Sequence, residues 1–159
     1  MDVTIEEFRK RIDPCWSRAT SFWPKTWTEA NPAHGQCLVT ALVARDVFSG
    51  AIVYGRIDTI EHYWNFLPNI GEVDFTRDQF GPGPRSTEVL GLTLRPLNYG
   101  PDPWLRNLTS PILQEKHFTD LNKDGDLERR YMLLKRRYAF NSAYPHQRRF
   151  KPFGELTWG

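Results

Sequence analysis

The chain has 159 residues, 40% of them hydrophobic and 25% charged, with a formal net charge of +2. That length suits one compact domain with a real core, residues 1–159, and gives no reason for two. The charge is too small to mark a nucleic-acid binder, and two cysteines, Cys15 and Cys37, are too few for a secreted disulfide scaffold.

The start, MDVTIEEFRKRID, is charged and lacks an apolar centre, so no signal peptide is expected. The longest apolar run, residues 38–44, contains Thr40 and is too short to cross a bilayer. A cytoplasmic location without a membrane partner is the expectation. Residues 4–12 read as a short amphipathic helix. Thr4 and Glu7 fit a capping box, and Ile5, Phe8 and Ile12 share a face. Asp13-Pro14 should end it. The stretch CWSRATSFWPKTWTEANP follows. It reads as irregular but packed, anchored by Trp16, Phe22, Trp23 and Trp27. Aromatic residues reach 14% of the chain, with six Trp, which fits ring packing better than a ligand cage.

Gln36 to Phe48 reads as the main buried helix, because Leu38, Val39, Leu42, Val43 and Val47 cover a broad arc. Ser49-Gly50 supplies the stop. AIVYGRI (51–57) reads as a strand by its β-branched content. HYWNFLP (62–68) is a second strand, followed by a turn at 69–71. EVDFT (72–76) is a third, antiparallel to the second. GPGPRSTEVLG (81–91) reads as a loop. Residues 92–119 carry weak periodicity and several prolines, and place no element. Residues 126–139 fit a helix, although RRYMLLKRRYAF also fits a closing strand. The domain core is expected over about residues 16–140. Residues 141–159 form a basic, aromatic tail without regular structure.

Cys37 is the residue with the most chemistry. Sulfur attacks carbonyls as thiolate, and a helix N-terminus or an adjacent imidazole favours that form. Cys37 opens the predicted helix, where unpaired backbone N–H groups can also hold an oxyanion. Gly35 would let a substrate backbone approach closely. On the second strand, alternation puts His62, Trp64 and Phe66 on one face. On the third, Glu72, Asp74 and Thr76 share a face, and a short turn sets His62 roughly across from Asp74. A carboxylate there orients the imidazole. Trp64 would shield the pair from water. Nucleophile at a helix start, base on one strand and acid on the next is triad logic.

The order Cys–His–Asp on these elements resembles the transglutaminase-like branch of the papain-like cysteine-enzyme superfamily. More narrowly, GQCLVTALVARDVFSG, HYWN and EVDFTRDQF resemble the small bacterial YunG-like family, and RYMLLKRRY is similar to its closing segment. The resemblance covers residues 16–80 well and 128–138 loosely. It implies an α+β fold, papain-like or transglutaminase-like, with N-terminal helices packed on a small antiparallel β-sheet. It also implies Cys37 as nucleophile, His62 as base and Asp74 as third member. Gln36 is the candidate oxyanion donor, although papain-like enzymes place that glutamine several residues upstream. The function expected is a cysteine-dependent amide or peptide hydrolase, deamidase or acyl transferase. Its substrate would be a protein, peptide or amide, and it would need no cofactor or metal.

Other readings stand beside this one. Free cysteine is most often a core residue, and Asp74 could simply cap a helix begun by TRDQF. His34, Cys37, His62 and Asp74 offer a zinc set, though with only one cysteine. Asp120, Asn122, Asp124 and Gly125 match the start of a calcium loop, but Tyr131 stands where the bidentate acid belongs. Between Arg129 and Lys151 lie eight basic residues and no acidic ones. Interleaved with aromatics, they could form a binding surface for a partner, but nucleic acid is the weaker expectation. A non-catalytic interaction module is the rival to the hydrolase.

Overall fold

The computed structural model describes residues 2–93 and 114–145. Helix α1 (Ile5–Ile12) is closed by the expected box: Thr4 Oγ1 accepts from the Glu7 N–H at 3.1 Å, and Glu7 Oε2 accepts from the Thr4 N–H at 2.9 Å. It buries Phe8 and Ile12. Two 3-10 turns follow, Asp13–Cys15 and Arg18–Thr20. Helix α2 (Cys37–Phe48) buries seven consecutive residues, Leu38 through Ala44. A helix apolar on every side belongs inside, and Thr40 is tolerated there because its Oγ1 accepts from Trp16 Nε1 at 2.9 Å. It stops at Ser49 and Gly50, both at positive φ.

Strands β1 (Ala51–Ile57) and β2 (Ile60–Leu67) form a hairpin, and β3 (Gly71–Val73) returns along β2. Strand β4 (Thr87–Thr93) pairs with the other edge of β1, and short β5 (Gln114–Lys116) adds parallel to β4. The sheet order is β3-β2-β1-β4-β5, antiparallel over its first four strands. Helices α3 (Phe118–Leu121) and α4 (Asp126–Ala143) follow. Helix α2 packs on β2 and α4, and α1 on α4.

The helices cover one face of the sheet, where Ile52, Tyr54, Tyr63 and Leu67 join the main core. Phe8 is its hub, with ring centres 4.7 Å from Phe75, 5.1 Å from Tyr138 and 5.4 Å from Phe48. Asn65, buried on the same face, donates to the Ala41 carbonyl at 2.9 Å and ties β2 to α2. The other face carries a smaller cluster of Ala51, Val53, Trp64 and Leu92.

Several expectations need correction. Trp16 and Trp27 are buried, but Phe22 and Trp23 are exposed, because residues 21–23 form a surface turn strapped to residues 34–35. The third strand ends at Val73, and Asp74–Thr76 leave the sheet. The register Asn65↔Val73, continued one step, sets Trp64 opposite Asp74 and leaves His62 on the diagonal. The loop expected over 81–91 stops at Ser86, and the rest is β4. Its bulge against β1 lies where Tyr54 pairs with Gly91 and Gly55 with Val89, which broke the alternation. Residues 126–143 are helical rather than a closing strand. Much of the unplaced stretch 92–119, and residues 146–159 of the expected tail, lie outside the described residues.

Gly55 has a specific packing reason. A Cβ there would lie 2.0 Å from the Glu88 carbonyl oxygen and 2.7 Å from the Trp64 ring. Gly55→Ala is expected to destabilise the protein by about 1–3 kcal/mol, the usual cost of overpacking. Equilibrium urea unfolding checks this, and an unchanged midpoint would contradict the packing described.

Candidate active site

Cys37, His62 and Asp74 converge at the edge of the sheet. Beyond Asn65, β2 has no β3 partner on that side, and the chain from Asp74 to Phe80 folds over the open edge. His62 Nε2 lies 2.7 Å from Asp74 Oδ2. With Nε2 engaged there, Nδ1 is the ring atom left for the sulfur, and the imidazole and the Cys37 thiol are hydrogen-bonded. Alternation puts His62 and Tyr63 on opposite faces. The Cys37 charge acts on both, so the sulfur lies within electrostatic reach of each.

The imidazole has no solvent exposure, whereas Asp74 keeps 17% of its side-chain surface and Cys37 is partly exposed. The Trp64 ring stacks on it with centres 5.8 Å apart, and the Phe80 edge meets it at 4.9 Å. Burial is the largest influence on its titration and acts to lower it. The hydrogen bonds to Asp74 and Cys37, and the negative charges of both, together outweigh burial and raise His62 to about 9. The sign follows from linkage. The folded value exceeds the ordinary 6.5, so the charged ring stabilises the fold fully below that value. The contribution fades as pH rises through about 9.

Asp74 serves two partners. Oδ2 faces His62, while Oδ1 accepts from the Thr76 N–H at 3.1 Å in a local Asx turn that leads into the 3-10 turn Arg77–Phe80, which no side chain caps. The expected cap is not formed by Asp74, since the 3-10 turn Arg77–Phe80 has no side-chain cap and Oδ1 instead closes a turn onto Thr76. Arg9 of α1 donates to the Asp74 carbonyl at 3.2 Å and fixes this backbone from the other side.

Cys37 is the first residue of α2, and no side chain caps that helix. The N–H groups of its first turn lack intrahelical acceptors and are available to a developing oxyanion. The Gln36 side chain is wholly buried, with Nε2 donating to the Ser17 carbonyl at 2.9 Å and Oε1 unpartnered. That burial turns the amide into the protein rather than toward a substrate entering from solvent. Gly35 adopts φ +71°, and a Cβ there would meet Ser21 Oγ at 2.3 Å. The room it leaves is filled by the chain's own 21–23 turn rather than by an incoming backbone.

Gln79 was not anticipated. Its Nε2 donates to the Thr76 carbonyl at 3.1 Å and approaches His62 Nδ1 at 3.4 Å, while its Oε1 lies 3.4 Å from the Gly35 N–H. It links the histidine side of the site to the loop before the cysteine. The spacing Thr76-x-x-Gln79, a capping-box spacing, was the available signal.

His34 does not join the other members of the zinc set. Its Nε2 lies 2.9 Å from Thr26 Oγ1, and its ring rests on Trp23 at 5.3 Å. Among the described residues no group of three or more His, Cys, Asp or Glu side chains is arranged to hold a metal ion. In the calcium-like segment, Asn122 Oδ1 accepts from the Glu128 N–H at 2.9 Å near the start of α4. No helix among the described residues is long and apolar enough to cross a membrane.

The YunG protein family model matches residues 4–97, more than half of the chain and all the site residues named above. The chain belongs to the YunG family. A member of the YunG family from Bacillus subtilis (strain 168), described as "Uncharacterized protein YunG", is 40% identical over 76 residues. That match spans 48% of this chain and 63% of the relative's length. No solved structure matches the chain. Family membership brings no reaction with it.

The two thiols should behave differently. Cys15 has no solvent exposure, and burial, the largest influence, pushes its thiol up to about 12. Iodoacetamide added to the folded protein is expected to modify one thiol, which peptide mapping places at Cys37, and to reach Cys15 only after denaturation. Equal labelling of both in the folded state would contradict this geometry.

Proposed function

We propose that this YunG-family chain is a cysteine-dependent amide or peptide hydrolase, with the arrangement of the papain-like, transglutaminase-like enzymes. The observation that carries the reading is the buried His62 ring, held through Nε2 by Asp74 and raised in its titration by both that carboxylate and the Cys37 thiol. An imidazole held this way accepts a proton from sulfur and keeps it.

The steps balance without a cofactor. The Cys37 proton passes to His62 Nδ1, and sulfur forms a bond to the amide carbonyl carbon. The carbonyl oxygen becomes an oxyanion, held by first-turn N–H groups of α2. The C–N bond then breaks, and His62 gives its proton to the departing amine. Water attacks the thioester and yields a proton to His62, the S–C bond breaks, and Cys37 is restored as the acid leaves. An amine in place of water gives acyl transfer, and a carboxamide substrate gives deamidation. Asp74 keeps Nε2 engaged throughout, so Nδ1 stays directed at sulfur. The Trp64 ring stacks on the imidazole and the Phe80 ring meets it edge-on, and together they hold its orientation.

The test is covalent trapping with a peptidyl vinyl sulfone, an electrophile that reports on an activated thiol. Mass spectrometry should find one adduct on Cys37. His62→Gln should slow its formation by about 100-fold or more, within the range for loss of a positioned acid–base group. Asp74→Asn should slow it less. Modification no faster than that of free cysteine, and unaffected by His62→Gln, would remove the hydrolase reading.

A further inference from the structure

A cavity of about 430 Å³ opens between residues 17–24 and the first turns of α4. Its lining includes Arg18, Phe22, Asp126, Arg129 and Arg137, three cations against one anion. The three arginines differ in what occupies them. Arg137 donates to the Cys15 carbonyl at 3.0 Å and to Ser17 Oγ at 2.7 Å, and so braces the floor. Arg129 uses Nη2 on Asp126 at 2.8 Å and Nη1 on the Ala19 carbonyl at 3.3 Å. Arg18 is exposed and its guanidinium has no partner among the described residues. Behind the wall, buried Arg130 reaches Asp126 Oδ2 at 2.7 Å, and its guanidinium lies over the Phe22 ring at 5.5 Å. The cavity is thus a fixed positive recess with one unengaged cation and an aromatic wall.

This recess adjoins the site described above. Ser21 and Phe22 line it, and the same two residues are bonded to the loop before the cysteine. Ser21 Oγ donates to the His34 carbonyl at 2.8 Å, and the Phe22 N–H to the Gly35 carbonyl at 2.9 Å. Gly35 stands two residues before Cys37, within about 8 Å along the backbone. A substrate of peptide size bound at the thiol can therefore reach the recess.

We infer that the recess is a substrate subsite that takes a carboxylate, so that the proposed hydrolase prefers an acidic residue near the scissile amide. The planar forks of arginine match a carboxylate. The Phe22 ring, with Ala19 and Pro24, suits the methylene stem of a glutamyl side chain. Asp126 in the wall favours a monoanion over a more highly charged phosphate. The specificity rests on the thiol reading, whereas binding of the carboxylate does not.

The experiment has two arms on the full chain. The first measures binding of unreactive N-acetyl-glutamic acid α-amide, which carries a single carboxylate, by calorimetry. The second measures the rate at which N-iodoacetyl-glutamic acid α-amide and its glutamine counterpart alkylate Cys37. N-acetyl-glutamic acid α-amide should bind. The acidic reagent should react at least about tenfold faster, the factor supplied by one charge-assisted hydrogen bond. Both effects should be lost in Arg18→Gln/Arg129→Gln and kept in Lys10→Gln, a surface change on α1. Circular dichroism confirms that the variants are folded. Absence of Arg18- and Arg129-dependent binding overturns the subsite, as does tighter binding of inorganic phosphate. A reactive, His62-dependent thiol without acidic preference also overturns the subsite but leaves the hydrolase reading standing. Binding with an inert thiol keeps the carboxylate site and overturns the hydrolase reading.

Discussion

An imidazole taken out of water holds a proton only if its neighbours replace what water supplied. His62 has no exposed side-chain surface, yet it titrates well above the ordinary histidine range. The Asp74 carboxylate and the Cys37 sulfur provide that replacement. Much of the local architecture serves to hold those three groups together. The short β3 opens the sheet edge, the 74–80 segment closes over it, and α2 delivers the cysteine. Had β3 continued past Val73, backbone pairing along β2 would occupy the space the side chains now use.

The supports around the trio come from distant parts of the chain. Arg9 of α1 holds the Asp74 backbone, Gln79 joins the imidazole edge to Gly35, and the 21–23 turn packs into the room Gly35 leaves. Those links explain why both a surface turn and a helix start depend on a single glycine with positive φ. They also join the thiol to the arginine-lined recess, since the residues that strap residues 34–35 form one wall of it. Chemistry and recognition would then share one mechanical unit, with α4 providing the cations.

The first half of the chain was readable because local signals agreed with tertiary demand. Thr4 with Glu7, the apolar arc of α2 and the β-branched run of β1 each specify their own element. The places of Cys37 at a helix start and His62 on an alternating strand could be read, whereas Asp74 lies just beyond the end of β3 rather than on it. What could not be read depended on contacts between segments. Exposure of Phe22 and Trp23 follows from the bonds to residues 34–35, which no periodicity announces. The end of β3 at Val73 goes with Asp74 turning back to accept from the Thr76 N–H. Strand β4 hid behind a Pro/Gly-rich approach and a bulge at Leu90. Gln36 was an oxyanion candidate by family resemblance, despite standing directly beside the cysteine, and burial against Ser17 directs it inward. Gln79, five residues past the orienting carboxylate, became visible only when that segment was seen to fold over the imidazole.

The most direct measurement is an NMR titration of the His62 ring nitrogens in the wild-type chain, in Cys37→Ala and in Asp74→Asn. If sulfur and carboxylate both hold the proton on the buried ring, the wild-type midpoint lies near 9, and each substitution lowers it. A wild-type midpoint at or below the ordinary 6.5, or one that neither substitution moves, would show that the three groups do not act as one site.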